Sequence, residues 1–440
     1  MMITKRIFPM YLLFWKASHV KSFSMSMSSN SGSTLTGKVV AQRFVYRLSP
    51  TKSSVTAPYT IEERQYFTVG DDRALEPFGD KCFIIRGPES DDSDVEPPPE
   101  TLKKNGQPRV YTRIGPSLFK VDNVAEEDEE ESLGGSVWDS TYAMILYCMV
   151  NPDFVKGKGL ELGSGVGIGG LLSTIAAGIA SGATESSSSS PGYQTIEEIA
   201  NSPAQSDDDG NGVPGLDKKF APVPKTLAKL LLTDSRESLL DKCFTNVNKA
   251  TFPSAKVEIR YLDWNQRVPN EMKGQYDFII GCDCAYYFPL VNPLARTVAY
   301  TLQTSPYDRV DNEQRIGGQF VHIGPEHREN IQDLRRKLSR GYRMNLRSQS
   351  LVLERLDLVP LFLDSMEDVD DQIQKEIESD IAGFVEYQNV ETSYFTLLVG
   401  YHNEDYDGFN GEFFFPADNG KEDYGGDGKE LDFGFSTENY

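Results

Sequence analysis

Leu160-Glu161-Leu162-Gly163-Ser164-Gly165-Val166-Gly167 is the stretch whose reading decides the fold. It begins as a short apolar strand and ends in glycines at every second position. Leu171, Ile175 and Ile179 then recur at i, i+4 and i+8, so a helix follows over residues 168–180. A strand that turns through glycine into a helix lets backbone approach a ligand closely and points a helix N-terminus at it. The loop alone leaves the ligand open. Gly165, Gly167 and Gly170 also satisfy the G-x-G-x-x-G spacing of dinucleotide loops.

Three neighbours narrow the choice. Glu161 sits two residues before the first glycine, where a carboxylate can accept from an ammonium group; a dinucleotide offers none there, whereas S-adenosylmethionine does. Asp234 ends the next strand, over residues 228–233, where an acid takes ribose hydroxyls. Asp263 and Trp264 end a third, over 257–262: the acid can accept from an adenine amine and the indole can cover the ring. Further strands over 276–281, 319–323, 351–356 and 394–401 alternate with helical runs at 239–247 and 326–340. Such alternation implies a mostly parallel sheet with helices on both faces. The last two strands lack a clean crossover helix, the acidic helical run 365–381 being an excursion, so an antiparallel final pair is expected.

With these residues in place the chain resembles the seven-strand S-adenosylmethionine-dependent methyltransferases. It is most similar to methyltransferase family 16, the protein-lysine methyltransferases of the methyltransferase-like 21 type. Four segments carry the resemblance: Ser136-Val137-Trp138-Asp139 before a helix, the loop from Glu161 to Gly167, Thr233-Asp234, and Asp283-Cys284-Ala285-Tyr286 after the fourth strand. The resemblance implies a Rossmann-like seven-strand sheet and S-adenosyl-L-methionine as cofactor, held by Trp138, Glu161, Gly163, Gly165, Gly167, Asp234, Asp263 and Trp264. It implies Asp283 as the residue that orients the acceptor amine and Tyr286 as a wall of the methyl channel. It implies a protein-lysine N-methyltransferase. Histidine, an N-terminal amine or a small molecule as acceptor, and a non-catalytic adaptor that keeps the fold, stay open as alternatives. So does a capping role for Asp234 and Asp283, and plain packing for Trp138 and Trp264.

The rest of the chain frames this domain. The 440 residues carry 66 acidic and 44 Lys or Arg side chains, a formal charge of −22. A body this acidic repels phosphate backbones, so direct nucleic-acid binding is not expected, and it favours a basic protein substrate. No apolar run is long enough for a helical membrane span. The five Cys at 82, 148, 243, 282 and 284 include no C-x-x-C, which argues for free thiols and no metal site. His322 and His327 read as satisfied or solvated side chains, with a catalytic base the less expected role. A monomer is expected.

Residues 1–61 contain eight basic residues and no acidic one, and are Ser-rich over 18–33. That composition fits an organelle transit peptide (plastid or mitochondrion). An apolar patch over 11–15 instead suits a signal peptide, and a leader with translation starting at Met25 or Met27 leaves the protein cytoplasmic. The expected organisation is a leader over 1–37, a β-rich extension over 38–132, a methyltransferase domain over 133–402 and an acidic tail over 403–440. The extension has strands at 39–48, 82–86, 110–114 and 118–121 and acidic loops at 91–100 and 126–131. The domain is interrupted by a Ser- and Asp-rich insertion over 181–219, expected to be disordered.

Overall fold

The computed structural model describes residues 39–49, 59–69, 75–86, 118–121, 132–185, 221–250, 252–304, 318–363 and 387–402. The leader over 1–37, the acidic loops, the strand expected at 110–114, the excursion at 365–381, residues 186–219 of the insertion and the tail from 403 lie outside them.

The glycine loop follows β5 (Gly157–Leu162). This strand lies between β6 (Leu227–Asp234) and β8 (Phe278–Cys282), parallel to both. Beyond them, β7 (Val257–Tyr261) pairs with β6 and β9 (Gln319–Pro325) with β8, again in parallel. β12 (Tyr387–His402) then lies antiparallel between β9 and β10 (Met344–Leu358). The order β7-β6-β5-β8-β9-β12-β10 is the seven-strand arrangement expected, with the last of the described strands reversed. The mostly parallel expectation holds for the five strands from β7 to β9 and not for the whole sheet.

The other half is antiparallel. β1 (Val39–Leu48) pairs with β10, then follow β2 (Thr60–Val69), β3 (Leu75–Arg86) and β4 (Leu118–Val121), all in one sheet. The short β11 (Leu361–Leu363) returns to the start of β1. The extension is therefore a continuation of the same sheet through β10.

Side-chain alternation in the parallel strands puts a core on each face. Phe278 and Ile280 of β8 face α1 (Asp139–Val150), α2 (Ile168–Glu185) and α3 (Glu237–Lys249). Ile279, Leu160 and Leu162 face α4 (Phe288–Thr301) and α5 (Glu329–Arg336). α1 is buried almost all round, which is why its sequence DSTYAMILYCMV shows little helical period. α2 runs to Glu185, five residues past the expected boundary at Ala180. The helix expected over 326–340 starts at Glu329 and stops at Arg336, and a π turn, Lys337–Gly341, ends it.

Besides the short β11, two longer elements were not expected. α4 carries Pro289 in its first turn and Pro293 inside, which breaks the pattern that Val291, Leu294, Ala295 and Val298 otherwise make. β2, TIEERQYFTV, reads as a charged loop because its charges are turned inward. Glu62 and Arg64 are buried, and both Arg64 Nε and Arg43 Nε donate to Glu62 Oε1, at 2.7 and 2.8 Å. On the opposite face Tyr142 of α1 donates to Glu63 and stacks on Tyr46 with ring centroids 3.7 Å apart. These contacts fix the extension to the helical layer.

Removing one member of a buried ion cluster leaves uncompensated charge, which costs about 3–5 kcal/mol. Glu62→Ala is expected to destabilise the fold by that order, measured as the loss in unfolding free energy in a denaturant titration.

Candidate active site

The glycines hold a backbone that other residues reach only with strain. Gly163, Gly165 and Gly167 have φ of 65°, 53° and 83°, in the left-handed region. A Cβ on Gly165 would run into the carbonyl oxygen of Gly134, in the helical turn Ser132–Gly135, and one on Gly167 into the thiol of Cys243. The loop is thus clamped between the segment before α1 and the helix after β6. Ser164 donates its amide to Thr233 O at 2.8 Å, and Gly165 donates to Asp234 Oδ2 at 2.9 Å.

Asp234 closes β6 and also accepts from the Arg236 amide at 3.1 Å through Oδ1. Burial raises its pKa, and the amides of Gly165, Arg236 and Ser235 oppose the rise. Each of its oxygens retains acceptor capacity, which suits a diol. Leu262 donates to Asp234 O at 2.9 Å and so brings the end of β7 alongside. There Asp263 turns its carboxylate on its own turn, accepting from the Asn265 amide at 2.9 Å and the Asn265 side chain at 3.1 Å. The indole of Trp264 lies over Gly163: a Cβ there would stand 3.3 Å from two of its ring carbons. Trp138 is half-buried immediately before α1, four positions after Gly134.

Glu161 points to the helical face of β5, under the first turn of α2. Gly169 and Gly170 make room for it; a Cβ on Gly170 would be 2.6 Å from Oε2. Burial pushes its carboxyl up to about 8, the Gly170 amide pulling it down and Asp234 adding to the rise. Oε2 is buried and makes no hydrogen bond of good geometry. A buried acceptor without a donor costs about 1–3 kcal/mol and is a place where a cationic ligand group gains most. The orphaned Glu161 oxygen, the acceptors on Asp234 and the side-chain-free floor at Gly163 under Trp264 together fit a ligand with an ammonium, a ribose and a flat base.

Asp283 lies one residue past β8, with φ 49°, a left-handed conformation uncommon outside glycine. Its amide donates to Ile323 O at 2.8 Å, which holds the turn to β9. Its carboxylate is 8% exposed. Oδ2 accepts from an Arg328 guanidinium nitrogen at 2.8 Å, and Oδ1 has no partner. Burial raises its pKa to about 6 against the pull of Arg328. Tyr286 is 43% exposed at the rim, followed by the equally open Tyr287 and Phe288.

His322, expected to be satisfied or solvated, is neither: it is fully buried and both ring nitrogens lack a hydrogen-bond partner. Burial, then Arg328, lowers its pKa to about 4, so the ring is neutral. Arg328, which meets Asp283, was not singled out in the sequence, and the burial of His322 was not expected. The position of His322 near a strand end was its only signal, and Arg328 had none. Among the described residues no group of His, Cys, Asp or Glu is arranged to hold a metal ion, and no helix is long and apolar enough to cross a membrane.

A family model described as lysine methyltransferase matches residues 209–315. That segment contains β6, β7 and β8 with Asp234, Asp263, Trp264, Asp283 and Tyr286. No curated protein matches the chain. Among solved structures, similarity is found to the YcgJ protein of Bacillus subtilis at 9% identity, covering 60% of this chain and 99% of that one with a TM-score of 0.32. A putative RNA methyltransferase of Pyrococcus horikoshii is 8% identical over 60% and 83% of the two chains, with a TM-score of 0.28. TYW2 of the same organism, solved in complex with MeSAdo, is 8% identical over 67% and 72%, with a TM-score of 0.31.

Two outcomes are expected. Gly165→Ala forces a left-handed Ala against backbone and loses at least about 1–3 kcal/mol in a denaturant titration; Gly341→Ala, which meets nothing within 4 Å, serves as its near-neutral control. Glu161 binds its proton more tightly folded than unfolded, so its contribution to stability is greatest below the usual carboxylate range and fades as pH rises to about 8. Glu161→Gln is expected to flatten that decline, read from unfolding free energies at acidic and alkaline pH.

Proposed function

We propose that this S-adenosylmethionine-dependent methyltransferase modifies the side-chain amine of lysine in a protein substrate. The observation that carries the reading is Asp283: a buried carboxylate on a strained turn, with one oxygen unpaired, whose neighbour Cys284 donates to Leu162 O at the foot of the glycine loop at 2.9 Å. The description of the matching family model supports lysine as the acceptor.

S-adenosyl-L-methionine supplies a methyl group on a sulfonium, reactive enough that the protein contributes chiefly position and electrostatics. Glu161 receives the ammonium of that cofactor, Asp234 its ribose, and Trp264 the face of its base, over the floor made by Gly163 and Gly165. Asp263 and Trp138 border the same place. The acceptor amine arrives protonated, with an unperturbed pKa of about 10.4, and must lose that proton to expose its lone pair. Asp283 Oδ1 accepts a hydrogen bond from the amine, which aligns it and favours approach of the cation before its proton passes to solvent. Tyr286, at the rim, lines the way in. The net charge of −22 speeds the encounter with a basic substrate.

Tritiated S-adenosylmethionine and a lysate of the source cell test this, with the modified residue identified by mass spectrometry. Label on lysine is expected. Label on histidine, an N-terminal amine or a small molecule overturns the acceptor, and cofactor binding without any transfer favours an adaptor. Asp283→Asn is expected to slow transfer by about 100-fold while cofactor binding measured by calorimetry stays near wild type.

A further inference from the structure

The contact between Asp283 and Arg328 is placed where an ordinary surface ion pair would not be. The two residues come from different strand ends, and both are pinned by backbone. Asp283 hangs on Ile323 O through its amide, and the Arg328 amide donates to Pro325 O at 3.1 Å, where β9 ends. Ile331 in turn donates to Arg328 O at 3.2 Å, starting α5 from the same turn. The carboxylate is therefore held at two levels, by its main chain and by the guanidinium on Oδ2.

The other oxygen lies beside Gly324 of β9, with no hydrogen-bond partner. A Cβ built on Gly324 would stand 2.8 Å from Ile331 Cδ1, 3.1 Å from His322 Cε1 and 3.5 Å from Asp283 Oδ1, so all three side chains close around this glycine. Asp283 Oδ1, both nitrogens of His322 and Arg328 Nε are all buried without hydrogen-bond partners. Buried polar atoms are nearly always paired, so the unpaired Oδ1 is an acceptor for which the fold itself supplies no donor.

We propose that Arg328 is a positioning residue for methyl transfer: by binding Asp283 Oδ2 it fixes the carboxylate so that Oδ1 faces the amine that takes the methyl group. The inference rests on the reading of Asp283 as the partner of that amine. Without Arg328 the carboxyl turns freely and, being buried, takes up a proton, which converts the acceptor oxygen into a donor or removes it. Groups that face Asp283 are His322 from β9, Arg328 from the turn after it, and Cys282, Cys284 and Tyr286 from its own segment, with Glu161 behind the two thiols. Arg328 is the cation among them.

The sign of the pH effect follows. Asp283 has to be ionised to act, so its protonation sets the acid limb of the rate. Taking away the Arg328 charge raises the pH at which the proton binds. The test compares the full-length wild type with Arg328→Met, Arg328→Lys and Asp283→Asn. One readout is the initial rate of tritium transfer from S-adenosylmethionine into a lysate of the source cell, across pH. The second is the carbon-13 carboxyl titration of Asp283, assigned by loss of its signal in Asp283→Asn and recorded without cofactor or substrate. Arg328→Met is expected to move both midpoints up by about one unit, a loss of about tenfold on the acid side that shrinks at alkaline pH, with Arg328→Lys restoring most of it.

Unmoved midpoints in Arg328→Met, with only a lower melting temperature, would make the pair purely structural and overturn the inference. If Asp283→Asn runs at full rate, the reading of Asp283 fails and takes this one with it. If Asp283→Asn is slow and Arg328→Met is normal, Arg328 alone has been misassigned. Label on a residue other than lysine overturns the acceptor only, and the two titrations still decide Arg328.

Discussion

Everything at the candidate site depends on backbone being allowed where side chains are not. Three alternate residues after β5 take left-handed conformations, and the middle one rests against a carbonyl from the segment before α1. With any larger residue at Gly165, the loop and the turn Ser132–Gly135 have to part, which strains the contact of the position-165 amide with Asp234. The loop is consequently more than a ligand cradle. It is the joint at which the ends of β5 and β6 and the start of two helices are fastened, and the ends of β7 and β8 are positioned from it.

The chemistry then divides between two carboxylates with opposite surroundings. Glu161 is buried under glycines with a single amide in support, and its proton is held to about pH 8. Asp283 is buried too, but a guanidinium counters the effect and its proton leaves near pH 6. At neutral pH the first is largely neutral until a cation arrives, and the second is largely charged. A bound ammonium at Glu161 would exchange one positive partner for one proton, so that charge is kept balanced inside the sheet's helical face. The net charge of −22 is a separate matter from this local balance.

How much of this was legible in the sequence depended on how local each cause is. The glycine loop, Asp234, Trp264 and Asp283 occupy fixed offsets from strand ends, and strand ends show as apolar runs that stop. α4 was hidden because Pro289 and Pro293 are local signals against helix, overridden by packing of Val291, Leu294 and Val298 on the sheet. β2 was hidden because Glu62 and Arg64 look solvated, whereas in the fold they pair with each other and with Arg43 from β1. Arg328 meets Asp283 across 45 positions, and no pattern in either neighbourhood announces the other. The unpartnered state of His322 is likewise a property of the assembled strands and not of its segment.

The place of β12 bears on how the chain reaches this state. It is the last of the described strands along the chain, yet it lies between β9 and β10, in the middle of the sheet. Before it inserts, the antiparallel strands β4 to β10 and the parallel strands β9 to β7 are two half-sheets with open inner edges. Val45 of β1 finds Leu356 of β10 across more than 300 residues, and such late, long-range pairing is slow. Unpaired strand edges are sticky while they wait. The synthesis of this protein thus contains an interval, closing only with residues 387–402, in which its two halves are as able to pair with another copy as with each other.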